Sequence, residues 1–149
     1  MIHCGDIASG ETLERLAKNF DGPPLPGARL ARMGGKILAV FGNMDYRESV
    51  ETTAKKFPDK IQLFDSFGKT EIGGLKIGFC HHKETALEFC TTKHFNYIFY
   101  GHTHKPWLET VNSCQLANPG TLAGMFYKAT FAILDTETKK LELKIVERL

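Results

Sequence analysis

With 149 residues the chain can form one domain with a sizeable core, but not two ordinary ones. A hydrophobic share of 42% and a charged share of 24% describe a globular protein. A net charge of +2 gives no electrostatic case for nucleic acid or an anionic membrane surface, and no apolar run has the length to cross a bilayer.

In chain order, "MIHC" is a short apolar run that breaks at Gly5-Asp6. "SGETLERLAKNF" (9–20) carries Leu13, Leu16, Ala17 and Phe20 at helical spacing, with Ser9 and Thr12 as start signals. The stretch 21–35 is dense in Pro and Gly and reads as a surface loop. "KILAVFGNMD" (36–45) is a near-continuous apolar strand ending at Gly42-Asn43, and 47–57 reads as a helix stopped by Pro58. Residues 60–67, 69–73 and 75–82 read as strands, the last two joined as a hairpin at Gly73-Gly74. "KETALEFCTTKHF" (83–95) is amphipathic and helical, and "NYIFY" is the next strand. From Trp107 onward the chain alternates like antiparallel strands with one buried face. This order predicts a layered α/β sandwich: a sheet with helices on one face, packed on a second sheet built from the C-terminal strands.

The opening "MIHCGD" has neither the charged start nor the apolar stretch of a secretion signal. Cys4, Cys80, Cys90 and Cys114 are scattered, with no CxxC pair, which favours buried free thiols over a disulfide frame. A cytoplasmic location is the resulting expectation.

Chemically capable side chains fall where the apolar runs end. Asp6 closes the first, Asn43 the second, His81 the third, and His102 with His104 the fourth. Ligands of parallel α/β sheets bind beyond the carboxyl ends of strands. Imidazole, carboxylate and carboxamide oxygen together suit divalent ions such as Mn²⁺, Fe²⁺ or Zn²⁺. Taken singly, each residue also has an ordinary reading. Asp6 fits a turn or helix cap, Asn43 a left-handed turn, His81 and His82 an exposed pair opening a helix, and "GHTHKP" a polar turn.

"HCGD" (3–6), "GNMD" (42–45), "FCHH" (79–82) and "GHTH" (101–104), in that order, resemble the calcineurin-like metallophosphoesterases. The small phosphodiesterase branch (YfcE-like) is the nearest match, and it also has an "NPG" near the place of 118–120. The resemblance implies an α/β/β/α sandwich forming one metallophosphoesterase-like domain over 1–149. It implies a two-metal site in which Asp6 bridges the ions, Asn43, His81 and His102 complete one site, and His104 belongs to the other. Manganese is the leading metal, with iron, nickel or zinc as alternatives. A metal-bridging hydroxide would attack phosphorus of a phosphodiester or small phosphate ester, so Asp6, Asn43 and His102 act through the metals and Asp45 orients a ligand or loop. Met44 stands where related sequences carry a proton-donating histidine, and a thioether cannot take that role. His82 stands where the branch usually has glycine; it could substitute as a proton donor, but reads rather as a solvated bystander.

The family opens with a strand ending in Asp-x-His that supplies two more ligands, and this sequence starts after it. The expectation is therefore an N-terminally truncated domain, lacking the family's first strand and helix, with an uncovered strand edge that favours self-association. Two alternatives follow: a non-catalytic scaffold, the role of one retromer subunit that looks like this fold, or a one-metal remnant of low activity.

Overall fold

The computed structural model describes residues 1–21 and 35–149. The Pro/Gly-rich stretch read as a loop therefore lies largely outside the described residues. The elements are β1 (Ile2–His3), α1 (Gly10–Asn19), β2 (Ile37–Val40), α2 (Arg47–Lys56), β3 (Ile61–Phe64), β4 (Phe67–Ile72), β5 (Leu75–Cys80), α3 (Lys83–Thr92), β6 (Tyr97–Tyr100), β7 (Trp107–Val111), β8 (Cys114–Asn118), β9 (Thr130–Asp135) and β10 (Lys140–Ile145), followed by a 3-10 turn at Val146–Arg148. Ser9 caps α1, its side chain accepting from the Thr12 N–H at 3.3 Å. Gly73 and Gly74, both at positive φ, turn β4 into β5.

The central strands are buried on both faces, which explains their unbroken apolar runs. In β2, Ile37 and Ala39 face α1 and α2, packing with Leu13, Ala17 and Val50. Leu38 and Val40 face the other way, onto Ile77, Phe79 and Phe99. In β6, Tyr97 and Phe99 join that inner layer, while Ile98 and Tyr100 lie under α3 with Ala86, Cys90 and Leu116. Helices thus cover the outer face of each sheet, giving an α/β/β/α sandwich.

The sheets divide earlier than the alternation pattern suggests. The first is β1-β2-β3, all parallel; the second is β4-β5-β6-β8-β7, with β5, β6 and β8 parallel. β9 and β10 form their own antiparallel pair, packing Ala132, Leu134 and Leu141 against the inner core. The expected second sheet of C-terminal strands is corrected accordingly: alternation reports which face is buried, whereas hydrogen-bond pairing decides sheet membership.

The cysteine reading is also corrected. Cys90 and Cys114 form a disulfide joining α3 to β8. Packing α3 onto this sheet brings together two residues 24 apart in the chain, which scattered positions could not reveal. Cys4 and Cys80 are free and buried, and burial pushes the Cys80 thiol up to about 12. The pairing removes the thiol argument for a reducing compartment. No described helix is long and apolar enough to cross a membrane.

Candidate metal centre

Parallel pairing within each sheet places the carboxyl ends of β1, β2, β5 and β6 at one end of the sandwich, and four of the five sequence-predicted ligands meet there. Asn43 Oδ1 lies 2.9 Å from His81 Nε2 and 2.9 Å from His102 Nδ1. His102 Nδ1 lies 3.1 Å from His81 Nε2, and Asp6 Oδ2 is 3.4 Å from that same nitrogen. His104 makes no hydrogen bond to the other four among the described residues, and its ring centroid lies 6.0 Å from that of Phe126.

The backbone has unusual forms here. Asp6, His102 and His104 adopt left-handed conformations with φ near +60°. Such residues are uncommon outside glycine, although Asp and His are enriched among them. Held strain of this kind concentrates where side chains must be aimed.

Asp45 fixes one wall. Its carboxylate accepts N–H bonds from Asp6 at 3.1 Å, Ala8 at 2.7 Å and Gly42 at 2.7 Å, tying the β1 and β2 loops together. The Met44 N–H donates to Asp6 Oδ1 at 2.9 Å, orienting the carboxylate. A second fastening lies beneath "GHTH": Asn118, fully buried, donates from Nδ2 to Gly101 O at 2.8 Å and Thr103 Oγ1 at 3.0 Å. The "NPG" segment thus contributes its asparagine side chain beneath the histidine turn.

His81 is 3% exposed, and its Nδ1 lies 2.8 Å from the Cys4 carbonyl. A carbonyl only accepts, so Nδ1 carries the proton and Nε2 presents a bare lone pair. Burial pushes the His81 pKa down, against the opposing pull of the Cys4 hydrogen bond and of Asp6, so the imidazole is neutral at pH 7. Its Nε2 then faces Asn43 Oδ1 and Asp6 Oδ2, both acceptors. A cation satisfies such a set. Donor atoms bound at 2.0–2.2 Å to one ion lie about 3.0 Å apart at right angles and about 3.4 Å apart at the tetrahedral angle. The observed separations of 2.9 to 3.4 Å fit that geometry.

His82, expected as a solvated bystander, lies close to the cluster. Its ligating nitrogen and those of His81 and His102 all lie within 4.8 Å of one another, although its ring is exposed. A histidine doublet at a strand end is the only trace of this in the sequence. His3, on β1, has a buried Nδ1 without a hydrogen-bond partner among the described residues.

Glycines permit the close approach. Gly5 has φ +91°, and a Cβ there would stand 2.6 Å from His81 Nδ1. A Cβ on Gly42 would collide with the Asp6 carboxylate. Gly42→Ala is expected to displace Asp6 and weaken Mn²⁺ binding at least tenfold, measured by calorimetric titration. Unaltered affinity would mean that Asp6 is not a ligand.

The fold is thus an α/β/β/α sandwich whose strand ends carry a carboxylate, a carboxamide and imidazoles. The calcineurin-like phosphoesterase superfamily domain matches residues 1–139, and the chain belongs to this superfamily. Among solved structures, one characterised as a novel archaeal phosphodiesterase is 28% identical, with TM-score 0.78 over 97% of this chain and 81% of that one. Vps29 from Cryptosporidium parvum is 18% identical, with TM-score 0.55 over 95% and 77%. A single mutant of Vps29 from Entamoeba histolytica is 16% identical, with TM-score 0.53 over 97% and 98%; these two likenesses concern the fold alone. A search of curated protein sequences finds no match.

Proposed function

We propose that this chain is a single-domain, divalent-metal-dependent phosphodiesterase, with manganese as its leading metal. The observation that carries the reading is the convergence of Asn43, His81 and His102, whose donor atoms lie 2.9 to 3.1 Å apart, with Asp6 Oδ2 3.4 Å from His81 Nε2. The 28% identical archaeal phosphodiesterase supports the substrate class. Asp6, Asn43, His81 and His102 would hold the first cation. A bound divalent ion supplies Lewis-acid polarisation of the phosphoryl oxygens and a water acidic enough to act near neutral pH.

The chain's own groups set the rest. The Cys4 carbonyl fixes the His81 tautomer, Asp45 holds the Asp6 loop, and Asn118 holds the turn that aims His102. Met44, 65% exposed beside Asp6, brings no titratable proton, so leaving groups stable as anions are favoured. A one-metal form of this reading uses Asp6, Asn43, His81 and His102 alone; a two-metal form adds His104.

The test is hydrolysis of bis(4-nitrophenyl) phosphate by chelator-stripped protein before and after Mn²⁺ addition, with bound metal counted by atomic emission. Metal-stimulated turnover is expected, with one tightly held ion in the one-metal form and two if His104 joins a second site. Folded protein that neither binds Mn²⁺ nor hydrolyses the ester is a scaffold.

A further inference from the structure

An open, shallow cleft of about 320 Å³ is lined by Lys83, Tyr100, Thr103, Lys105, Trp107 and Tyr127. That size falls within the range of small-molecule sites. The cleft and the cluster are continuous along the chain. Lys83 follows His82, Thr103 and Lys105 flank His104, and Tyr127 follows Phe126, the ring neighbour of His104.

Its chemistry is two-fold. Trp107 and Tyr127 are 45% and 44% exposed, so part of each ring is open to a ligand. Two ammonium groups adjoin them. Lys83 is paired with Glu109 at 2.8 Å, whereas the Lys105 Nζ stands 5.3 Å from the centroid of the Trp107 ring. A planar group stacked on Trp107 would take the place of that ammonium and leave it for an anion.

We propose that this cleft receives a nucleotide arm of the substrate, its base stacked on Trp107 and Tyr127 and a phosphate held by Lys105. This rests on the phosphodiesterase reading for the metal centre and adds the class of group esterified there. Aromatic faces recognise a base without selecting its sequence, and a lysine gives phosphate a mobile point charge.

The chain has one tryptophan, so its fluorescence reports directly on the cleft. Chelator-treated protein is titrated with adenosine 5′-monophosphate, adenosine and ribose 5-phosphate. Saturable change is expected with the nucleotide, about tenfold weaker affinity with adenosine, and none with ribose 5-phosphate. Tyr127→Ala and Lys105→Ala should each weaken nucleotide binding about tenfold. No saturable change with the nucleotide, an equal response to ribose 5-phosphate, or unchanged affinity in both variants overturns the proposal. Metal-stimulated hydrolysis of bis(4-nitrophenyl) phosphate is measured separately. Nucleotide binding without hydrolysis leaves the cleft standing and removes the phosphodiesterase reading; hydrolysis without nucleotide binding does the reverse.

Discussion

Replacing His102 with alanine is expected to abolish tight Mn²⁺ binding and lower metal-stimulated hydrolysis at least a hundredfold, while the protein stays folded. His102 Nδ1 lies within about 3 Å of both Asn43 Oδ1 and His81 Nε2, so its loss opens a gap in the donor set. The side chain is solvent-exposed and follows β6 rather than lying within it, so truncation leaves no core cavity. The melting temperature should stay within about 3 °C of the parent, measured without metal. This separates chemistry from stability. His81→Ala, by contrast, empties a buried position and should lower both together. A His102→Ala protein that retains full turnover would show that the reaction needs no ion at this cluster.

Asp45→Ala should have the largest effect on stability. The carboxylate accepts three backbone N–H groups from two different loops, and alanine offers them nothing. Hydrogen bonds to a charged acceptor are each worth about 1.5–3 kcal/mol. Partial exposure of these groups lets water replace some of that, so a loss of about 2–3 kcal/mol is expected from urea unfolding. Hydrolysis should fall as well, since Asp6 is then free to leave its left-handed conformation. Asp45→Asn retains one acceptor oxygen and should lie between. If all three proteins unfold at the same urea concentration, the loop connection contributes nothing to stability.

Local pattern and tertiary pairing carried different information in this chain. The helices at Gly10–Asn19, Arg47–Lys56 and Lys83–Thr92 were legible because apolar spacing and capping are decided within a few residues. The ends of the apolar runs were legible for the same reason, and they marked Asp6, Asn43, His81, His102 and His104 as residues of comparable placement. Hidden were the partners made at long range: the Cys90–Cys114 bond, the separate β9–β10 pair, and the Asn118 fastening under the histidine turn. The distinction between His81 and His82 was partly hidden too. Alternation puts adjacent residues on opposite sides, but the bend into α3 keeps both rings near His102, with centroids 5.0 and 4.7 Å away.

The sequence by itself determined which residues could serve as ligands and that each would stand where a buried strand gives way to a loop, since burial and periodicity are local properties. Only the tertiary structure decided that Asn43, His81 and His102 come within about 3 Å of one another with Asp6 next to His81, and that Trp107 and Tyr127 line one cleft. Those outcomes depend on how two sheets face one another and on which strands pair, and such contacts are set by packing across many tens of residues.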